Sequence, residues 1–201
     1  MTTPSARLLI VGPQGSGKGT QGARIAAALG IPAISTGDMF RAAIAGKTPL
    51  GLQVQEVIDA GDLVPDELTS AVVRERLSET DAAGGFLLDG YPRNLGQVSD
   101  LDAFLTDRDE ELTSVIELSV PRDESIARLT LRAQQQGRTD DTEEIIANRL
   151  RIYERETAPI LDVYRERNIV DAIDGVGTLD DITSRVISAL QARGLSADAV
   201  R

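Results

Sequence analysis

Leu8-Leu9-Ile10-Val11-Gly12-Pro13-Gln14-Gly15-Ser16-Gly17-Lys18-Gly19-Thr20 is the stretch that decides how this chain folds. An apolar run of strand length feeds a glycine-rich turn. Behind the turn, Ile25, Ala28 and Leu29 share one face at helical spacing. Strand, glycine loop, lysine and helix together make a grip for a chain of phosphates. Glycines let backbone N–H groups turn inward, the helix N-terminus adds partial positive charge, and Lys18 adds a full one. Gly12 through Gly17-Lys18 fits the phosphate-loop spacing, although Gly19 stands where that pattern has Ser or Thr. An overlapping stretch, Gly17-Lys18-Gly19-Thr20-Gln21-Gly22, fits G-x-G-x-x-G, with Asp38 about twenty residues on. In a dinucleotide fold the first glycine follows closely on its strand, and here it lags Val11 by six positions. The phosphate loop is the better reading.

Composition narrows the chemistry. At 201 residues with 41% hydrophobic content, the chain can bury a sizeable core in one domain. No apolar run approaches the roughly 18 residues of a membrane span, and Met1 to Ala6 has no apolar signal core. A cytoplasmic protein is expected. With no cysteine and no histidine, disulfides, thiolate zinc sites, imidazole ligands and His-dependent triads are all excluded. A net charge of −11 disfavours nucleic-acid binding, so any bound polyanion has to meet a local cluster of Arg and Lys.

Downstream, apolar strand runs alternate with helical patterns. Ile31–Ser35, Phe86–Asp89, Val115–Leu118 and Ile169-Val170 read as strands, with Thr36-Gly37-Asp38 as a turn. Helices are expected over Met39–Ala45, Leu50–Ala60, Asp66–Ser78 with Asp66 as N-cap, Gln97–Leu105, Asp123–Arg132 with Asp123 as cap, and Leu179–Leu190. Asp141 and Glu144 form a capping box for a further long helix that Pro159 interrupts. The alternation predicts an α/β fold, a parallel sheet of about five strands covered on both faces, with ligands at the carboxyl ends of the strands. The glycine loop, Ser35–Asp38 and Asp89–Arg93 all fall at those ends. Asp89, closing an apolar strand, reads as a turn acid or as the carboxylate that holds magnesium beside phosphates, directly or through water.

At this point the sequence resembles the adenylate kinase family of nucleoside monophosphate kinases, over about Leu8 to Leu190. The likeness is carried by Gly12–Gln21, Ser35–Arg41, Gly61–Asp66, Gly85–Arg93, Gly137–Asp141 and Asn148–Leu150, in that order. The family carries Gly-Lys-Gly-Thr, which accounts for Gly19. The resemblance implies reversible, magnesium-dependent phosphoryl transfer from ATP to AMP, giving two ADP.

It further implies that Gly15, Ser16, Gly17, Lys18, Gly19 and Thr20 hold the donor phosphates, with Asp89 near the magnesium. Thr36, Arg41, Asp62, Leu63, Val64, Gly90, Tyr91, Pro92, Arg93 and Gln97 would form the AMP side. Arg41 and Arg93 would fork onto its phosphate, while Gln97, with a donor and an acceptor, would read the adenine edge. Arg132 would contact ATP phosphates, Arg138 and Arg149 the transferring group and AMP, and Arg128 and the Gly177 carbonyl the ATP base. Lys18, Arg93, Arg132, Arg138 and Arg149 are thus the candidate catalytic groups. Arg128 and Arg132, four apart, project from one helix face; the same basic residues could also form a surface stripe balanced by Asp140, Asp141, Glu143 and Glu144.

By the same resemblance, residues 35–64 are a mobile helical AMP-binding arm, 131–141 a short lid loop, and 1–34, 65–130 and 142–201 the core. With only Ala133 to Gly137 between Arg132 and Arg138, and no thiols, no structural zinc is expected. The chain would be a monomer with nucleotide partners, binding neither nucleic acid nor membrane. Two departures stand out. Gln14 replaces the family's usual proline, and Asn94 follows Arg93 where Thr or Ser is common. Two competing readings remain: a UMP, CMP or other monophosphate kinase, and a phosphate-loop switch or binding module. A switch would carry an Asn-Lys-x-Asp base-reading motif, which this sequence lacks.

Overall fold

The computed structural model describes residues 5–136 and 142–195. Five parallel strands, β1 (Ala6–Val11), β2 (Ala33–Ser35), β3 (Gly85–Asp89), β4 (Ser114–Ser119) and β5 (Val170–Asp174), form one sheet in the order β2-β3-β1-β4-β5. Strand alternation builds two cores from β1 alone. Leu9 and Val11 face one side, packing with Phe86, Leu88 and Val115. Leu8 and Ile10 face the other, with Leu87, Ile116 and Leu118. Burying a side chain of this size contributes roughly 1.5–3 kcal/mol, so the near-continuous apolar reading of β1 follows from its central place in a sheet covered on both faces.

The first face is covered by α4 (Asp66–Leu77), α5 (Leu95–Thr106) and α8 (Ile160–Glu166), through Val73, Leu77, Val98, Leu101, Leu105, Leu161 and Tyr164. The second is covered by α1 (Lys18–Leu29) and α9 (Leu179–Ala192), through Ile25, Leu29, Ile182, Val186 and Leu190. A buried polar staple joins those two helices. Gln21 Nε2 donates to the Leu179 carbonyl at 3.0 Å, and Thr183 Oγ1 donates to Gln21 Oε1 at 2.8 Å. Helices α2 (Thr36–Ala45) and α3 (Pro49–Asp59) stand apart, around a separate small core of Phe40, Val54 and Val64. Gly51 lets them meet. A Cβ there would drive into the Ala43 carbonyl and lie 2.6 Å from the Ile44 nitrogen.

The structure corrects several local expectations. Thr36-Gly37-Asp38 is the first turn of α2, not a free turn, because the Ser35 side chain accepts from the Asp38 N–H as N-cap. Asp66 is the first helical residue of α4 and caps nothing; Pro65 precedes it as N-cap. Asp123 likewise lies one residue inside α6 (Arg122–Gln136). That helix runs four residues past Arg132, so residues 131–136 of the expected lid loop are helical. Residues 137–141, the rest of that segment and one half of the expected capping box, lie outside the described residues. Helix α7 (Glu143–Ile152) is capped by Thr142 Oγ1, which accepts from the Ile145 N–H. Pro159 acts as expected: α7 passes into a π-type turn, Tyr153–Thr157, and α8 starts afresh behind the proline.

Candidate active site

Loop 12–17 leaves β1 and folds tightly against β4 and α6. A Cβ on Gly12 would come within 2.7 Å of the Leu118 carbonyl oxygen. Gly15 adopts φ 83°, and a Cβ there would strike the Ser125 carbonyl and lie 3.0 Å from Leu129 Cγ. Only glycine meets both demands. Gly17 is the N-cap of α1, and no side chain caps that helix, so its first N–H groups face into the loop. Lys18 Nζ folds back over the loop and donates to the Gly12 and Pro13 carbonyls at 2.7 and 2.8 Å.

Burial lowers the Lys18 pKa to about 8; Asp89 pulls it upward, while Arg93 and Arg132 press it down. Asp89 closes β3, in register with Ile10 of β1 and Ser35 of β2. Burial raises its pKa, against the attraction of Lys18 and Arg93. A side chain at Gly19 would stand 3.7 Å from Asp89 Oδ2, so glycine there keeps the carboxylate open toward the loop. Two polar atoms of this loop, Gln14 Oε1 and Ser16 Oγ, are buried without a hydrogen-bond partner among the described residues.

Opposite the loop, one cavity gathers most of the residues named from the sequence. Lys18, Asp89 and Arg132 line it together with Thr36, Arg41, Asp62, Leu63, Val64, Gly90, Arg93, Gln97 and Arg149. The parallel sheet accounts for the convergence, since β1, β2 and β3 all point their carboxyl ends here. Thr36 Oγ1 donates to the Gly90 carbonyl at 3.0 Å, and Arg93 Nε donates to the same carbonyl at 2.8 Å. Thr157 Oγ1 donates to the Arg93 carbonyl at 2.8 Å, tying the strand-end loop to the turn before α8. Arg93 lies deep among cations. Desolvation depresses its pKa, Asp89 opposes, and Arg149 and Arg41 repel. Arg41 pairs with Asp38 on its own helix.

Gln97, 2% exposed, is held at both ends. Its Oε1 accepts from the Arg93 N–H at 2.8 Å, and its Nε2 donates to Asp66 Oδ1 at 2.7 Å. Asn94 behaves as N-cap of α5, its Oδ1 accepting from the Gln97 N–H at 2.9 Å, and also donates through Nδ2 to both Asp66 oxygens. Asp66, which sequence reasoning took for a cap, thus holds Gln97 from outside the cavity lining. Its offset from Asn94 and Gln97, nearly thirty residues along the chain, left no local signal. Across the cleft, Asn148 Nδ2 donates to Asp62 Oδ1 at 2.9 Å and to the Ala60 carbonyl at 3.3 Å, and Arg149 Nη2 reaches the Ile58 carbonyl at 3.4 Å.

Other named residues lie elsewhere. Tyr91 is buried, its hydroxyl 2.9 Å from Ser70 Oγ, so the side chain serves the core. Pro92 lines a smaller neighbouring cavity beneath the loop. Arg128 is bound to Glu124 and, through both terminal nitrogens, to the Gly175 carbonyl at 3.1 Å, two residues from Gly177. It shares a neighbourhood with Gly177 but not the main cavity. Gly15, Ser16, Gly17, Gly19 and Thr20 form the loop and the start of α1. Arg138 lies outside the described residues.

A family model described as adenylate kinase matches residues 10–169. The chain belongs to the adenylate kinase family. Among similar proteins, the adenylate kinase of Leifsonia xyli subsp. xyli is 55% identical over 188 residues, 94% of each chain. That of Clavibacter michiganensis subsp. michiganensis is 54% identical over 197 residues, 97% of this chain and 98% of its own. That of Bifidobacterium longum is 51% identical over 185 residues, 92% of this chain and 100% of its own. The family resemblance drawn from Gly12–Gln21 and the later blocks is borne out, as is the phosphate-loop fold with its five-strand parallel sheet. Among the described residues, no helix is long and apolar enough to cross a membrane.

Proposed function

We propose that this chain catalyses the reversible transfer of the terminal phosphoryl group of ATP to AMP, giving two ADP. The observation that carries this reading is the single cavity that joins Lys18 and Asp89 of the glycine loop's side to Thr36, Arg41, Arg93 and Gln97 opposite. In the forward step an AMP phosphate oxygen attacks the γ-phosphorus of ATP, a new P–O bond forms, and the β–γ bridging P–O bond breaks. The electron pair stays on the leaving ADP, so the protein needs only to align the groups and meet their charge. That suits a site without histidine.

The loop N–H groups and Lys18 hold the donor phosphates, with Lys18 exchanging its bonds to Gly12 and Pro13 for phosphate oxygens. Arg41 and Arg93 hold the AMP phosphate, and Arg132, Arg138 and Arg149 neutralise charge on the group in transit. Arg128, bridging to Gly175, holds the Gly175–Gly177 loop against α6 for the donor base. Asp89 is the residue that would hold a magnesium ion, directly or through water. Its carboxylate opens on the cavity, and Gly19 leaves the approach clear. Bound there, magnesium would supply positive charge against the charge that develops on the phosphates. Gln97 keeps one N–H and one lone pair beyond those used by Asp66 and Arg93, enough for the N1 and 6-amino group of adenine.

Residues 35–64 act as the AMP arm, 131–141 as the lid and the remainder as core, and closure of the two keeps water from taking the phosphoryl group. Both halves of the site come from one chain, which supports a monomeric enzyme, working in the cytoplasm. A panel of monophosphate acceptors with ATP and magnesium, read by ADP formation, tests the assignment. AMP is expected to lead by more than about tenfold in kcat/KM. A tenfold or greater preference for UMP or CMP would overturn it.

A further inference from the structure

Buried carboxamides carry a choice that their shape does not reveal: a half-turn about the last side-chain torsion exchanges oxygen and nitrogen. In Gln97 that choice is closed from two sides. Oε1 faces the Arg93 N–H at 2.8 Å, and Nε2 faces Asp66 Oδ1 at 2.7 Å. Turned over, the amide would aim N–H at N–H and carbonyl oxygen at carboxylate. Each mispairing would leave a buried polar group without its partner. Asp66 is itself held by Asn94 Nδ2 at 2.9 and 3.1 Å, and Asn94 is fixed as the cap of α5 by the Gln97 N–H. Asp66, Asn94 and Gln97 thus close a ring, its last link the Gln97 backbone N–H, and Gln97 presents it to the cavity.

We propose that Asp66 is a specificity-determining positioning residue, locking the Gln97 amide in the orientation that accepts a 6-aminopurine and refuses a 6-oxopurine. The inference rests on the reading of Gln97 as the group beside the AMP base. An adenine edge offers a donor at its 6-amino group and an acceptor at N1. A hypoxanthine edge offers the reverse, an acceptor at O6 and a donor at N1. With phosphate and ribose held in place, a locked amide matches the first pattern and mispairs twice with the second. Rejection then comes from unmet polar groups in a dry pocket, the strongest basis a small site has for discrimination. A carboxylate can lock because it only accepts. An asparagine of the same shape can turn and donate, leaving the Arg93 N–H alone to favour one orientation.

The test uses the whole chain with ATP and magnesium, and AMP or IMP as acceptor. In Asp66→Asn the AMP-to-IMP ratio of kcat/KM should fall on the order of tenfold or more, mostly through better use of IMP. Asp66→Ser, which cannot reach Gln97, should shift the ratio in the same direction and serves if Asp66→Asn folds poorly. A merely structural role for Asp66 would lower use of both acceptors together and leave the ratio within about twofold of the parent; that result would overturn the lock. A parent chain that favours a pyrimidine monophosphate would overturn the adenine reading itself. A parent that favours AMP with an unmoved ratio in both variants would overturn the lock alone.

Discussion

Lys18 shows how one side chain can make phosphate binding depend on pH. Its ammonium is buried and its pKa sits at about 8, below the ordinary 10.5. Nucleotide phosphates placed beside it favour the charged form and raise that pKa, so binding draws in a proton wherever the free site has lost it. Affinity should therefore be full below pH 8 and fall as pH rises through 8, seen as a rising KM for ATP between pH 7 and pH 9. The depression has the opposite sense for the empty fold. It disfavours folding below pH 8, and the handicap lifts as pH rises from 8 toward 10.5. Replacing Lys18 by Ala should cut turnover about a hundredfold or more, with AMP KM little changed. Gln14 is the other instructive residue. Its buried Oε1 has no partner among the described residues, so Gln14→Leu should not lower, and by removing an orphan acceptor should raise, the melting temperature of the nucleotide-free protein. Lys18 and Asp89 were legible from the residues themselves, one behind a glycine loop and one at a strand end, and Arg93 through the family resemblance alone. Asp66 was not, because its partners, Asn94 and Gln97, are brought to it only by the packing of α4 beside α5.

Among elements, most with a clear period were read to within a few residues at each end, whereas β5 runs four residues past the expected Ile169-Val170 and α6 four past the expected Arg132. β1, β3 and β4 announce themselves as apolar runs, and α9 through Ile182, Val186 and Leu190. At the start of α2, Thr-Gly-Asp has the chemistry of a turn. Whether it coils into a helix depends on Ser35 turning back to cap it, a choice that β2 makes by ending in the sheet. The end of α6 escaped for a related reason: Gln134, Gln135 and Gln136 carry no apolar period. Two element-scale changes have firm expectations. Asn94→Ala removes the cap of α5 and a ligand of Asp66, and should cost at least about 1 kcal/mol by denaturant unfolding. Gly51→Ala forces a methyl into the α2–α3 contact. Such overpacking costs roughly 1–3 kcal/mol, and because the small core of Phe40, Val54 and Val64 lies apart from the sheet, faster hydrogen exchange should appear over residues 36–59 first.

At the scale of the whole molecule, an acidic protein concentrates positive charge at one place. Net charge is −11, yet Lys18, Arg41, Arg93, Arg132 and Arg149 line a single cavity. Arg93 is held there against the repulsion of Arg41 and Arg149. A polyphosphate relieves that crowding, so a bisubstrate analogue carrying both nucleosides should raise the melting temperature far more than AMP alone. It should also slow hydrogen exchange in the arm and in the segment after Arg132; unchanged exchange in both would argue against closure. Asn148 and Arg149 already reach Ile58, Ala60 and Asp62 across the cleft.

The place of β1 has a consequence for how the protein comes into being. Among the described strands β1 comes earliest in the chain yet lies in the middle of the sheet, and it waits for β3 and β4 to arrive on either side. The helix that follows its glycine loop waits longer still, for Leu179 and Thr183 to engage Gln21. The helix that carries the phosphate grip is thus fully packed only once α9, more than 150 residues further along, has reached it.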